Sequence, residues 1–237
     1  LRFGIFKFAY WNLFVIWLLP FGICNLYIVI LRIKKLNMSL RKAYLLIFII
    51  LIVDQFTKIY VKTNFVLQDQ VHIFKWFRIL FIENEGMAWG TEIPGLHGKL
   101  ILTLFRLLAV VGIGYWLYTS VKAKSSNYLI VAIALILAGA FGNIIDSVFY
   151  GVIFDDSRGH LAHLFPAHPY GTWFHGKVVD MIYLPFIEDG KWPSWFPIWG
   201  GQRFTFFNAI FNIADTAIST GVGILIVFNK KAFHKAD

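Results

Sequence analysis

Apolar residues run in four long blocks along the chain, and the polar residues that interrupt them recur at helical spacing. The blocks lie at about 43–61, 100–118, 128–145 and 206–228. Each has about 18–23 residues, the length a helix needs to cross roughly 30 Å of hydrocarbon. In lipid every backbone amide must find its partner within the segment, so helices are predicted. A fifth apolar run, at about 12–31, is followed by Arg32, Lys34 and Lys35. Two long stretches, about 62–99 and 146–205, contain no run long enough to cross. They are rich in aromatics and glycine, and strands are expected around 71–82.

Composition strengthens this picture. Apolar residues make up 58% of the chain and charged residues 15%, an excess that a soluble core of this size cannot hide. The formal charge of +9 would suit nucleic acid, but the cations flank apolar blocks, as topology signals do, and no nucleic-acid-reading motif is present. Arg41 and Lys42 precede the first block, Lys122 and Lys124 follow the second, and Lys230, Lys231 and Lys235 follow the fourth. Four crossings then put all of them on the cytoplasmic side, with both long stretches facing outward. Trp76, Trp89, Trp173, Trp192, Trp195 and Trp199 in those stretches fit the membrane–water interface. Residues 1–37 form an N-terminal extension that reads as an extra helix, a signal-like segment or sequence upstream of a start at Met38, with the last preferred. The lone cysteine, Cys24, allows no internal disulfide framework and reads as a packing residue.

Ionisable residues inside membrane helices are expensive and mark candidate sites. Asp54 and Lys58 are four apart on one face of the first block; an ion pair that orients the helix is the competing reading. Arg106, in the second, reads as a cation snorkelling to the interface. Asn143 and Asp146 close the third block, and Asn212 and Asp215 lie in the fourth. Their i, i+3 spacing sets each amide beside its carboxylate. Asp180 sits between apolar residues in GKVVDMIYLPF, in a strand or a turn. No zincin, nucleophile-elbow or phosphate-loop pattern occurs. His160, His163, His168 and His175 lack the spacing of a compact zinc motif, so no metal and no cofactor is expected. Carboxylate chemistry remains. Two aspartates brought close share a proton, so one can activate water while the other protonates a carbonyl oxygen. An ion channel is the competing class, but it needs polar residues along the full helix depth, and here they gather at the outward ends.

Five motifs in order then carry a resemblance over residues 38–230: VDQFTK at 53–58, ENEGMAWG at 83–90, GNIID at 142–146, GKVVDMI at 176–182 and FNIADTAIS at 211–219. The chain resembles the bacterial lipoprotein signal peptidases, or signal peptidase II. The resemblance implies an all-α membrane bundle of four transmembrane helices, with a possible fifth at the N-terminus and a small extracytoplasmic β-cradle and loop. Residues 38–237 would form the peptidase domain. Asp180 and Asp215 would be the catalytic pair, and Asn84, Gly86, Asn143, Asp146, Asn212, Asp54 and Lys58 would bind substrate or support the site. The implied reaction removes the signal peptide from diacylglyceryl-modified prolipoproteins, just before the lipidated cysteine. The implied setting is the bacterial inner membrane, multi-pass and among its lipids, with the site near the periplasmic face of a monomer. Three departures stand out. Ser147 replaces the family's usual Arg, with Arg158 and Lys177 as candidate substitutes for its charge; Trp89 replaces Phe; and Ala209 replaces Pro. The loop between Asp146 and Asp180 is also longer than the family pattern.

Overall fold

A computed structural model describes residues 38–85 and 98–233. The expectations placed on residues 1–37, Gly86 and Trp89 lie outside the described residues. Helix α1, Leu40–Asn64, starts where the Ser39 hydroxyl accepts the Lys42 N–H, an N-cap that satisfies one free amide. Helix α2 spans Gly98–Lys122. Helix α3, Asn127–Ile145, is capped by Ser126 in the same manner. These helices are long and apolar enough to cross a membrane, α3 together with its continuation to Ile153.

The fourth block departs from expectation. Helix α4 spans only Ile213–Val227, about 22 Å at 1.5 Å per residue. The start expected near 206 is overridden because Asn212 caps the helix. Its side chain accepts the Asp215 N–H at 2.8 Å, and the Asp215 carboxylate accepts the Asn212 N–H at 3.4 Å. This reciprocal box fixes the first turn. The apolar residues before it are spent on strands.

Those strands make the β content larger than expected. Strands β1 (Gln70–Phe74), β2 (Phe77–Asn84), β3 (Val178–Tyr183) and β6 (Ile210–Phe211) form an antiparallel sheet in the order β1-β2-β3-β6. A second hairpin pairs β4 (Ile187–Lys191) with β5 (Arg203–Phe206). The register sets Ile82 opposite Asp180 and Asn84 opposite Val178. The strands expected near 71–82 are thus β1 and β2.

The helix ends sort by charge. At one end the Met38 N–H donates to Asn127 Oδ1 at 3.1 Å, and the Ser126 hydroxyl donates to the Ala232 carbonyl at 2.8 Å. This end gathers the start of α1, the α2–α3 turn and the end of α4, with their lysines. The sheet covers the opposite end. Helix α3 lies at the centre, with Ile130, Ala132, Ile133, Ala134 and Ala138 buried. Phe48, Phe56, Phe105 and Leu108 on α1 and α2 are exposed, which gives the bundle an apolar flank suited to lipid.

Helix α3 does not stop at Ile145. It runs into a π-helical turn, Asp146–Tyr150, whose wider winding leaves carbonyls without helical partners. The long loop that follows folds back and supplies them. Gly176 N–H donates to the Ser147 carbonyl at 2.9 Å, Phe174 N–H to Val148 at 3.1 Å, and Gly171 N–H to Gly151 at 2.9 Å. Gly176 is needed for this approach, since a Cβ there would lie 2.0 Å from the Asp146 carbonyl oxygen.

Candidate active site

Helical periodicity puts Asp54, Lys58 and Lys62 on one face of α1, and all three are buried at the sheet end. Lys58 is the hub. Its Nζ lies 2.9 Å from Asp54 Oδ2, 2.8 Å from Asp146 Oδ2 and 2.9 Å from Asn143 Oδ1. The pair expected on α1 therefore reaches across the bundle instead of only orienting its own helix. Asp54 also accepts the Ala214 N–H at 2.8 Å, placing a carboxylate against the positive end of α4. Asp146 accepts the Val179 N–H at 3.3 Å and so ties α3 to β3.

Gln55 completes this knot, and sequence reasoning passed over it. Its amide nitrogen lies 3.1 Å from Asp54 Oδ2, 2.9 Å from Asp146 Oδ1 and 3.2 Å from the Gly142 carbonyl oxygen. Its own oxygen accepts the Tyr150 hydroxyl at 3.1 Å. The signal was its position beside Asp54, one residue round the helix. Gly142 leaves room for the knot, because a Cβ there would lie 2.7 Å from Asp54 Oδ2.

A second pair of carboxylates sits beside the knot. Asp180 projects from β3, and its two oxygens accept from Asn212 Nδ2 at 2.8 Å and Asn84 Nδ2 at 3.1 Å. Asp215, in the first turn of α4, accepts from Asn143 Nδ2 at 2.8 Å. Asn212 therefore bonds both carboxylates, Asp180 through its side chain and Asp215 through its backbone N–H. The expected residues Asn84, Asn143, Asp146, Asn212, Asp54 and Lys58 all converge here. Asp180 is 4% exposed and Asp215 is partly exposed. Burial, and then the neighbouring Asp215 charge, push the Asp180 carboxyl up to about 8, so Asp180 holds a proton at neutral pH.

Charge supports the same conclusion. Asp54 and Asp146 share Lys58, whereas Asp180 and Asp215 have no cation within ion-pair distance among the described residues. A buried carboxylate and a partly exposed one beside it, held only by amides, cannot both ionise without electrostatic cost.

Neither Arg158 nor Lys177 lies within ion-pair distance of Asp146, Asp180 or Asp215 among the described residues. Arg158 is exposed and pairs with Asp156, while Lys177 faces Glu83 at 3.8 Å and Glu85 at 3.7 Å. Asp146 takes its charge from Lys58 instead. Ser147 is buried and donates to the Asn143 carbonyl at 3.0 Å. A further buried cation, Lys62, pairs with Glu83, donates to the Ser157 hydroxyl at 2.8 Å, and lies over the Phe154 and Tyr170 rings. It fastens α1 to β2 and the loop, and its i+4 spacing from Lys58 was the available signal. His163 lies on Asp155 at 2.9 Å and His175 on Thr172 at 3.0 Å, both in the long loop.

The chain is similar to known proteins. The family described as signal peptidase (SPase) II matches residues 46–230. A lipoprotein signal peptidase of Porphyromonas gingivalis is 50% identical over 184 residues, covering 77% of this chain and 80% of that protein. One from Amoebophilus asiaticus is 34% identical over 198 residues, covering 81% and 78%. A solved bacterial membrane enzyme superposes with a TM-score of 0.52 at 26% identity, covering 84% of this chain and 93% of that one. The sequence match spans the knot, both aspartates and the sheet between them, and on that ground the chain belongs to the signal peptidase II family.

Proposed function

We propose that this protein removes signal peptides from prolipoproteins, with Asp180 and Asp215 as the catalytic pair. One observation carries the assignment: the two carboxylates meet on Asn212, beside a knot in which Lys58 holds the other two aspartates. In this reading the ionised carboxylate takes a proton from water as the water oxygen attacks the scissile carbonyl carbon. The protonated carboxyl gives its proton to the carbonyl oxygen as charge develops there. Collapse of the tetrahedral intermediate breaks the C–N bond, and the departing amine takes up a proton from the pair. Asn84, Asn143 and Asn212 hold the two carboxylates in place.

Topology supports the setting. The lysine-rich end of the bundle belongs in the cytoplasm, with α4 as a fourth crossing. The sheet and the aspartates then face the periplasmic side of an inner membrane. Asp54 lies about 15 Å from the sheet end of α1 by helix rise, a depth suited to a peptide bond near the end of a membrane segment. A diacylglyceryl group on the substrate cysteine would rest in lipid along the apolar flank, which agrees with cleavage just before that cysteine. Every carboxylate of the site comes from one chain between residues 54 and 215, which suits a monomer and a peptidase unit within 38–237.

The test is cleavage of a purified precursor peptide in detergent or nanodiscs, with and without the diacylglyceryl group. The lipidated form should be cut at least about tenfold faster, equivalent to about 1.4 kcal/mol of activation free energy. Equal rates would remove the lipid-reading part of the proposal.

A further inference from the structure

The hydrogen bond from Asn84 to Asp180 sits at a weak place in the sheet. Asn84 is the last residue of β2, and Val178, opposite it, is the first of β3. Strand ends fray unless something ties them down. Side chains alternate along a strand, so the sheet has two faces here. Asn84 shares one face with Ile82 and Asp180. Glu83 lies on the other, opposite Val179 and beside the buried Phe81. The first face carries the catalytic pair. The second carries a charge cluster that the chemistry proposed above does not use. Glu83 Oε1 pairs with Lys62 of α1 and accepts the Ser157 hydroxyl at 3.1 Å. Its Oε2 lies 3.8 Å from Lys177 Nζ. Lys177 stands just before β3, where its backbone N–H donates to the Tyr170 hydroxyl at 2.7 Å. The same ammonium lies 3.7 Å from Glu85 Oε1, and the other Glu85 oxygen pairs with Lys99 of α2 at 2.8 Å. Three lysines from three parts of the chain thus close on the two glutamates that flank Asn84. The Glu83 and Lys62 side chains are almost wholly buried, and such a pair keeps its geometry because either partner alone would be costly.

We propose that Glu83 is a positioning residue: gripped by Lys62, Ser157 and Lys177 on one face of β2, it keeps the strand end in register so that Asn84, on the other face, holds its hydrogen bond to Asp180. The proposal rests on the catalytic pair assigned above and adds a residue that acts on it from behind the sheet. The lever is short. Glu83 and Asn84 are joined through one planar peptide, so a shift of one carries the other. A slip of β2 by one residue would exchange its faces and take the Asn84 amide away from the carboxylate. Asn212, at 2.8 Å, would then be left to hold Asp180, and one carboxylate oxygen would lose the donor that fixes its direction. The cluster is arranged for this task. Lys177 reaches from the start of β3 to the end of β2, so it ties together both sides of the Asn84–Asp180 contact. Lys62 and Lys99 fasten the same strand end to α1 and α2.

The experiment is a double-mutant cycle on the kinetics of diacylglyceryl-precursor cleavage. It uses purified Glu83→Gln, Asn84→Ala and the two together, with thermal unfolding in detergent as the folding control. Asn84→Ala should lower kcat about tenfold or more. Glu83→Gln should lower it by about the same factor and change KM less than about threefold, because the pair is disturbed and the peptide is not. The double variant should match Asn84→Ala within about threefold, because Glu83 acts through Asn84. Losses that multiply would overturn the proposal, as would an unchanged kcat in either single variant. A raised KM with kcat kept in Glu83→Gln would overturn it in favour of a substrate contact. Earlier unfolding with kcat kept would overturn it in favour of a purely structural clamp. Should Glu83→Gln fail to fold, Lys177→Met takes its place, since Lys177 lies on the partly exposed rim of the cluster. It should lower kcat about threefold in the parent and leave it unchanged in Asn84→Ala. An equal loss in both backgrounds, or none in the parent, would overturn the proposal. Asp180→Asn runs alongside. Activity in that variant would remove the catalytic pair itself, whereas an inactive Asp180→Asn with multiplying losses in the cycle would remove only the role of Glu83.

Discussion

Four aspartates meet at the sheet end of this bundle, and they fall into two kinds. Asp54 and Asp146 close on one lysine, with Gln55 and backbone amides filling the remaining oxygen positions. Asp180 and Asp215 close on asparagines. Burial alone does not separate the two kinds, since Asp54, Asp146 and Asp180 are all buried. The partner does. Carboxylates that share an ammonium serve as a joint between helices. A carboxylate held by an amide keeps its affinity for a proton and can exchange it.

That contrast can be broken most sharply at Lys58. Replacing it with Met leaves Asp54 and Asp146 buried without their cation, and removing one partner of a buried ion pair costs about 3–5 kcal/mol. Thermal unfolding of Lys58→Met in detergent should show this loss, together with lost cleavage. An unfolding midpoint equal to the parent's would mean that the knot is not a structural joint. A smaller effect is expected at Gly142. An added methyl meets Asp54 Oδ2 and the Ala214 Cβ, and overpacking of this kind costs about 1–3 kcal/mol. Gly142→Ala should unfold earlier and cut more slowly, with its pH profile unmoved, because the pair itself is untouched.

The proton predicts a pH dependence. Asp180 binds its proton more tightly in the folded chain than in the unfolded one, since its carboxyl is raised to about 8. Stability from this group therefore falls as pH rises between the ordinary carboxylate value of about 3.9 and about 8. The rate should fall over the upper end of that window, as the acid loses its proton. A kcat flat from neutral pH to well above 8 would contradict a proton held on Asp180. At the small end, Arg158→Ala should leave cleavage unchanged, because Arg158 is exposed and its ion pair among the described residues is with Asp156.

Much of this was legible in the sequence, for identifiable reasons. Lipid forces helices on long apolar runs, so α1, α2 and α3 followed from length. Spacing suggested that Asn143 would hold Asp146 and Asn212 would hold Asp215, but the side-chain amides cross over: Asn143 donates to Asp215 and Asn212 to Asp180. The start of α4 was misread because FFNAIFN is as apolar as a helix, and only the capping box between Asn212 and Asp215 shows where winding begins. Asp180 needed the motif order, since nothing local to β3 sets it apart from a solvated loop residue. A substitute for the family's Arg at position 147 was sought at Arg158 and Lys177, whereas the cation on Asp146 comes from Lys58 on α1. Contacts between helices are invisible to spacing along one of them. The long loop proved to complete the hydrogen bonds of the π-turn, a demand that arises only after the helix has widened.

The central claim is that Asp180 and Asp215 work as one catalytic unit. Its most direct test is single-turnover cleavage of a diacylglyceryl precursor by purified Asp180→Asn and Asp215→Asn. The account predicts that each loses at least about a thousandfold in rate, with an unfolding midpoint equal to or above the parent's, because an amide removes the burden of a buried carboxylate. A folded variant of either kind that still cuts at a tenth of the parent rate would contradict it.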